Sequence, residues 1–103
     1  MLRRMAVVMN MRWAGVTPEQ YDEIRDLVAW EEVAPAGGRY HIAWFEPDGL
    51  HVCDVWDSPE QFQAFTETQL MPGVMKAGIE GEPDVTFAPA HRVYDANNNT
   101  VVA

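Results

Sequence analysis

Two stretches of this chain open a helix in nearly the same way, Thr17-Pro18-Glu19-Gln20-Tyr21 and Ser58-Pro59-Glu60-Gln61-Phe62. Each sets a hydroxyl N-cap before a proline at the first helical position, then an acid, then a Gln that can reach back to the cap. An apolar, strand-like run precedes each start and another follows it. The chain is therefore a doubled strand–helix–strand unit in the order β-α-β-β-α-β. Right-handed crossovers put both helices on one face of a four-stranded antiparallel sheet.

At 103 residues the chain is read as one domain over 1–103, with a core at about 5–94 and a loose tail at 95–103. Residues 5–13 read as the first strand. Its alternation separates Met5, Val7, Met9, Met11 and Trp13 from Ala6, Val8, Asn10 and Arg12. The bulky face suits packing under helices, and the smaller, partly polar one suits a cavity floor. Helix one is expected from Pro18 to Trp30, with Tyr21, Ile24, Leu27 and Val28 on one stripe. The second helix begins at Pro59, breaks near Met71-Pro72-Gly73, and ends at Gly78 or Gly81. Residues 84–94 form the last strand, with Pro89 demanding an edge or a bulge.

The central hairpin joins 39–46 to 50–57 through Pro47-Asp48-Gly49, which suits a three-residue loop closed by a left-handed glycine. That register is preferred. It gathers Tyr40, Ile42, Trp44, Leu50, Val52, Asp54 and Trp56 on one face, and Arg39, His41, Ala43, Phe45, His51, Cys53 and Val55 on the other. A two-residue loop slips the pairing by one and sets His41 beside Asp54 instead.

The sheet face away from the helices would expose Tyr40, Ile42, Trp44, Val52 and Trp56, an apolar patch too large for a monomer. A two-fold homodimer closing two such faces into a small barrel is the simplest cover. With a net charge of −9 and only 7 Lys plus Arg, the chain offers neither nucleic acid nor an anionic membrane a partner. Its apolar runs fall short of a membrane span, and Met1-Leu2-Arg3-Arg4-Met5 lacks the apolar segment of a signal peptide. One cysteine, Cys53, fits a reducing cytoplasm.

The stretch from Gly49 to Phe65, with Trp56-Asp57-Ser58 leading into a helix with paired aromatics, resembles the strand-to-helix signature of the dimeric α/β-barrel, ferredoxin-like superfamily. The likeness extends over residues 5–94. Within it the chain is similar to small actinobacterial-type proteins of unassigned function grouped near the antibiotic biosynthesis monooxygenases. That resemblance implies a homodimer and cofactor-independent oxidation of aromatic compounds by O2, without metal or flavin. Heme-degrading relatives share the fold. Both patterns place a histidine on the second helix, whereas this chain has none between residues 52 and 90. The resemblance implies that such a histidine would be the heme ligand; this chain has none at that place, and no cofactor is expected.

Asp54 is the sharpest anomaly, a charge in mid-strand between Val52 and Trp56. Buried there, it is either a general base for a phenolic or enolic proton or one half of an ion pair with Arg12, Arg39 or Arg92. His41 and His91 are candidate proton shuttles, against the plainer role of strand histidines satisfied by a neighbour. Tyr40, Trp44 and Trp56 are candidate walls for a flat aromatic ligand, or simply plugs of the dimer interior. Asn10 and Arg12 could bind a substrate oxygen or make dimer contacts. His41, His51, Cys53 and His91 lack the close spacing of a metal site, and none is expected. Two readings follow: a small-molecule-binding protein with monooxygenase-like chemistry, or a non-catalytic binding or structural dimer module.

Overall fold

The computed structural model describes residues 6–103, so the expectations for residues 1–5 lie outside it. Strand β1 (Val7–Ala14) leads to helix α1 (Pro18–Val28), the hairpin β2 (Gly38–Glu46) and β3 (Gly49–Trp56), and helix α2 (Pro59–Phe65). A π-helical turn (Thr66–Leu70) connects α2 to α3 (Met71–Lys76), followed by β4 (Asp84–Pro89). The sheet order is β2-β3-β1-β4, all neighbours antiparallel, as expected for the ferredoxin-like α+β arrangement. Among the described residues no helix is long and apolar enough to cross a membrane.

Both helix starts form as their sequences require. Thr17 Oγ1 accepts from the Gln20 N–H while the Gln20 side chain accepts from the Thr17 N–H, closing a capping box. Ser58 Oγ accepts from the Gln61 N–H. Helix α1 ends two residues before Trp30 because Ala29 turns left-handed, at φ 58°, and its N–H bonds to the Arg25 carbonyl. The expected break of the second helix lies one step earlier than Met71-Pro72-Gly73. The π turn widens the coil immediately ahead of Pro72, which then occupies the first turn of α3, where a missing N–H costs little.

The hairpin register differs from the preferred one. Glu46 pairs with Gly49 across a two-residue loop, and His41 pairs with Asp54. Pro47 cannot take the positive φ of the usual two-residue turns, which is what favours the longer loop in the sequence. The deciding constraint is tertiary. Gly49 lies opposite Ala14 of β1, and a Cβ there would sit 2.5 Å from the Trp13 carbonyl oxygen. The glycine serves this close approach between strands, and at φ 137° it also takes a backbone conformation that L side chains rarely adopt.

Alternation then divides the sheet. Met9, Met11 and Trp13 of β1 and Leu50, Val52, Asp54 and Trp56 of β3 are buried beneath the helices, against Ile24, Phe62, Phe65, Leu70 and Val74. Each large side chain so buried contributes about 1.5–3 kcal/mol. The other face carries Ile42 and Trp44, which are 60% and 41% exposed, whereas Val52 and Trp56, expected beside them, lie under the helices because the slipped hairpin register puts them on the opposite face from Ile42 and Trp44. Strand β4 stops at Pro89, on an edge. Residues 95–103 are not a loose tail: β5 (Tyr94–Asp95) pairs with β6 (Thr100–Val101), and Val93 is buried.

Candidate active site

The slipped register creates the site. His41 and Asp54 are cross-strand neighbours on the helix-covered face, and His41 Nδ1 lies 2.7 Å from Asp54 Oδ1. The second carboxylate oxygen accepts from Trp56 Nε1 at 3.0 Å. His41 Nε2 lies 2.7 Å from the Tyr21 hydroxyl, which α1 presents from above. With Asp54 as a carboxylate, Nδ1 carries the imidazole proton, and Nε2 accepts from the Tyr21 O–H. Trp56, Asp54, His41 and Tyr21 thus form one hydrogen-bonded chain. Its members justify a buried carboxylate that would otherwise cost several kcal/mol. None of the three arginines considered as its partner is used. Arg12 lies 3.8 Å from Asp48, and Arg39 makes a two-point contact with Asp57.

This chain opens into a cavity of about 190 Å3 between the sheet and the helices. The remaining wall is almost wholly apolar, built from residues such as Met9, Met11, Val52, Phe62, Phe65 and Leu70. A cavity of roughly 150 Å3 holds a benzene ring, so this one suits a ligand of one or two rings. The His41 side chain is 32% exposed and marks the open end, while that of Asp54 is 8% exposed and lies within. Burial pushes the Tyr21 hydroxyl above its ordinary pKa, and the charges of Glu31 and Asp54 add to this against an opposing effect from Arg25. Tyr21 is therefore a neutral donor at physiological pH. Its ring stacks parallel to His41, with centroids 6.0 Å apart.

The other sequence candidates are dispersed. Trp56 lines the cavity, but Trp44 lies on the opposite face of the sheet, where its indole donates to Glu46. Tyr40 reaches the cavity rim because a register shift follows Gly38, and its hydroxyl bonds to Asp95. Asn10 and Arg12 point to the open face, away from the cavity, and are exposed. His91 is exposed on the connection after β4 and does not line the cavity. His51, next to the turn, is held between Asp48 and Glu46 and stacks on Trp44. Among the described residues no three His, Cys, Asp or Glu side chains converge on a metal position.

Two cavity residues escape sequence reasoning. Tyr21 reads as part of an apolar helical stripe, and the only signal against that is a hydroxyl which must find a partner once buried. Trp30 reads as the end of the helix. In the structure it lies in the loop beyond Ala29, lines the cavity, and holds its Nε1 buried with no hydrogen-bond partner.

No protein-family model matches the sequence, and no curated protein matches it either. Solved structures do match. The cofactor-independent oxygenase SnoaB of Streptomyces nogalater superimposes with a TM-score of 0.59 at 14% identity, over 88% of this chain and 97% of that one. The NE2512 protein of unknown function from Nitrosomonas europaea gives 0.59 at 18%, over 85% and 91%. A candidate antibiotic biosynthesis monooxygenase from Caulobacter crescentus gives 0.56 at 18%, over 84% and 89%. The chain thus has the fold of the antibiotic biosynthesis monooxygenase-like proteins, the resemblance its strand-to-helix junction carries. At these identities the likeness concerns the fold.

Proposed function

We propose that this protein binds a small phenolic or enolic compound in the cavity and oxidises it with O2 without a cofactor. The observation that supports the reading is the Asp54–His41 pair opening into an apolar cavity, on a fold that SnoaB also has. Phenol binding displaces the Tyr21 hydroxyl from His41 Nε2, and Nε2 takes the phenolic proton. Asp54 holds the ring in the correct tautomer and balances the imidazolium. The phenolate carries carbanion character at its para carbon. That carbon gives electrons to O2 and forms a C–O bond, and the peroxide anion recovers the proton from His41. Loss of the para C–H proton and cleavage of O–O then release water. The balance is one phenol plus O2 to one para-quinone plus water, with the substrate supplying all four electrons. The dry wall keeps the phenolate's charge from being dispersed into water.

In the same reading a second copy covers the open sheet face, where Ile42 and Trp44 are exposed. The alternative, a non-catalytic binding module, is supported by the small size of the cavity and by the absence of a histidine on α2. Oxygen uptake with a panel of dihydroxyaromatics such as 1,5-dihydroxynaphthalene separates the two. Catalysis requires consumption above autoxidation that falls to background in His41→Ala and Asp54→Asn. Tight binding without uptake by the wild type establishes the module instead.

A further inference from the structure

At the reactive end of the cavity every polar group but one is already satisfied. Trp56, Asp54, His41 and Tyr21 bond to one another, while Trp30 Nε1 bonds to nothing. The Trp30 ring sits against the proton-handling pair, its centroid 5.4 Å from that of His41 and 5.8 Å from that of Tyr21, edge-on to both. An indole N–H is a donor only, and leaving it buried and unpaired costs free energy that a phenylalanine in the same wall would not. Such a donor beside the reactive histidine gains its partner from whatever fills the cavity.

We propose that Trp30 Nε1 donates to a second oxygen of the ligand, so that the cavity selects neutral phenols carrying a carbonyl besides the hydroxyl that meets His41. This rests on the small-phenol reading given above. The second oxygen is neutral because the wall is almost wholly apolar, Asp54 is negative, and the cation on the lining, Arg39, is already held by Asp57, so a carboxylate would be both desolvated and repelled. The N–H is sealed from solvent, so donation requires the indole to turn about its side-chain torsions as the ligand enters.

The test compares the three hydroxybenzaldehydes with the corresponding cresols by calorimetry, in wild type and Trp30→Phe. Each pair keeps the phenol and exchanges a formyl group for a methyl. The ratio of affinities between variants cancels differences in acidity and apolarity. We expect at least one aldehyde to lose about five- to tenfold in Trp30→Phe, the worth of one hydrogen bond, while its cresol changes by less than about twofold. Equal ratios in both proteins overturn the assignment. An equal loss for aldehyde and cresol also overturns it, since the N–H would then serve the hydroxyl. If the wild type binds neither compound class, the small-phenol reading fails and takes this inference with it. An independent measurement needs no variant. The Trp30 indole proton resonance moves downfield on addition of the aldehyde and not of the cresol, and a resonance indifferent to both overturns the proposal.

Discussion

The two faces of this sheet are built from alternate residues of the same strands, yet they have opposite chemistry. Along β2, His41 turns toward the helices, where β3 supplies Asp54, whereas Ile42 and Trp44 turn outward into solvent. The covered face holds its one buried charge in a continuous hydrogen-bond chain. The open face holds charged groups at the hairpin end, in contacts such as Arg12 with Asp48, and elsewhere presents exposed apolar side chains such as Ile42 and Trp44 beside neutral polar ones such as Asn10. The difference is set by a single residue of register. With the longer loop, His41 would share a face with Cys53, and Asp54 would have no titratable neighbour across the strand.

Substitutions can sharpen or break this contrast. The largest effect belongs to the covered face: on the proposed chemistry, His41→Ala should lower turnover by about 10^2–10^4, the usual contribution of a positioned acid–base group. Arg12→Ala, on the open face, leaves turnover within about twofold by the same steady-state assay. Next, Asp54→Ala strips partners from both His41 Nδ1 and Trp56 Nε1, and urea unfolding should show a loss of about 2–4 kcal/mol. Asn10→Ala, exposed on the other side of the same sheet, should stay within about 0.5 kcal/mol. Ile42→Asp places a charge in the open face. If a second copy covers this face as proposed, light scattering should report a dimer for the wild type and a monomer for the variant, with the cavity's ligand affinity retained. A wild type that is already monomeric at micromolar concentration removes the dimer from the account.

The smallest effect is one of pH. Tyr21 keeps its proton in the folded chain beyond the point, about pH 10, at which it ionises when unfolded. In that window the unfolded state binds fewer protons than the folded one, so stability falls as pH rises. Tyr21→Phe should flatten this part of the decline between about pH 9 and about pH 11. An unchanged slope would place the tyrosine in a more solvated setting than its contact with His41 implies.

The sequence exposes the fold because its signals are local. Two Pro-Glu-Gln caps, period-two strands and a Pro-Asp-Gly turn each act within a few residues, and together they specify strand order. The site is less legible because it depends on register and on side chains converging from three elements. Gly49 carries two readings, turn closure or close approach to β1, and only the packing of Trp13 and Ala14 above it decides. Asp54 stands out as a charge in an apolar strand, and His41 is visible as a candidate. Tyr21 is concealed in an apolar stripe, and Trp30 past a left-handed alanine where glycine is the usual signal. Asn10, Arg12 and Trp44 have suitable chemistry and lie on the wrong side of the sheet for this cavity.

The central claim is that His41, oriented by Asp54, offers its Nε2 to a ligand in the cavity. Nitrogen-15 NMR of the imidazole tests it directly. The expected result is the Nδ1–H tautomer, contacts from the His41 ring protons to Tyr21, and a shift at Nε2 on adding a phenol while Nδ1 stays bonded to Asp54. An Nε2–H tautomer, or ring contacts to Cys53 across the open face, would contradict it.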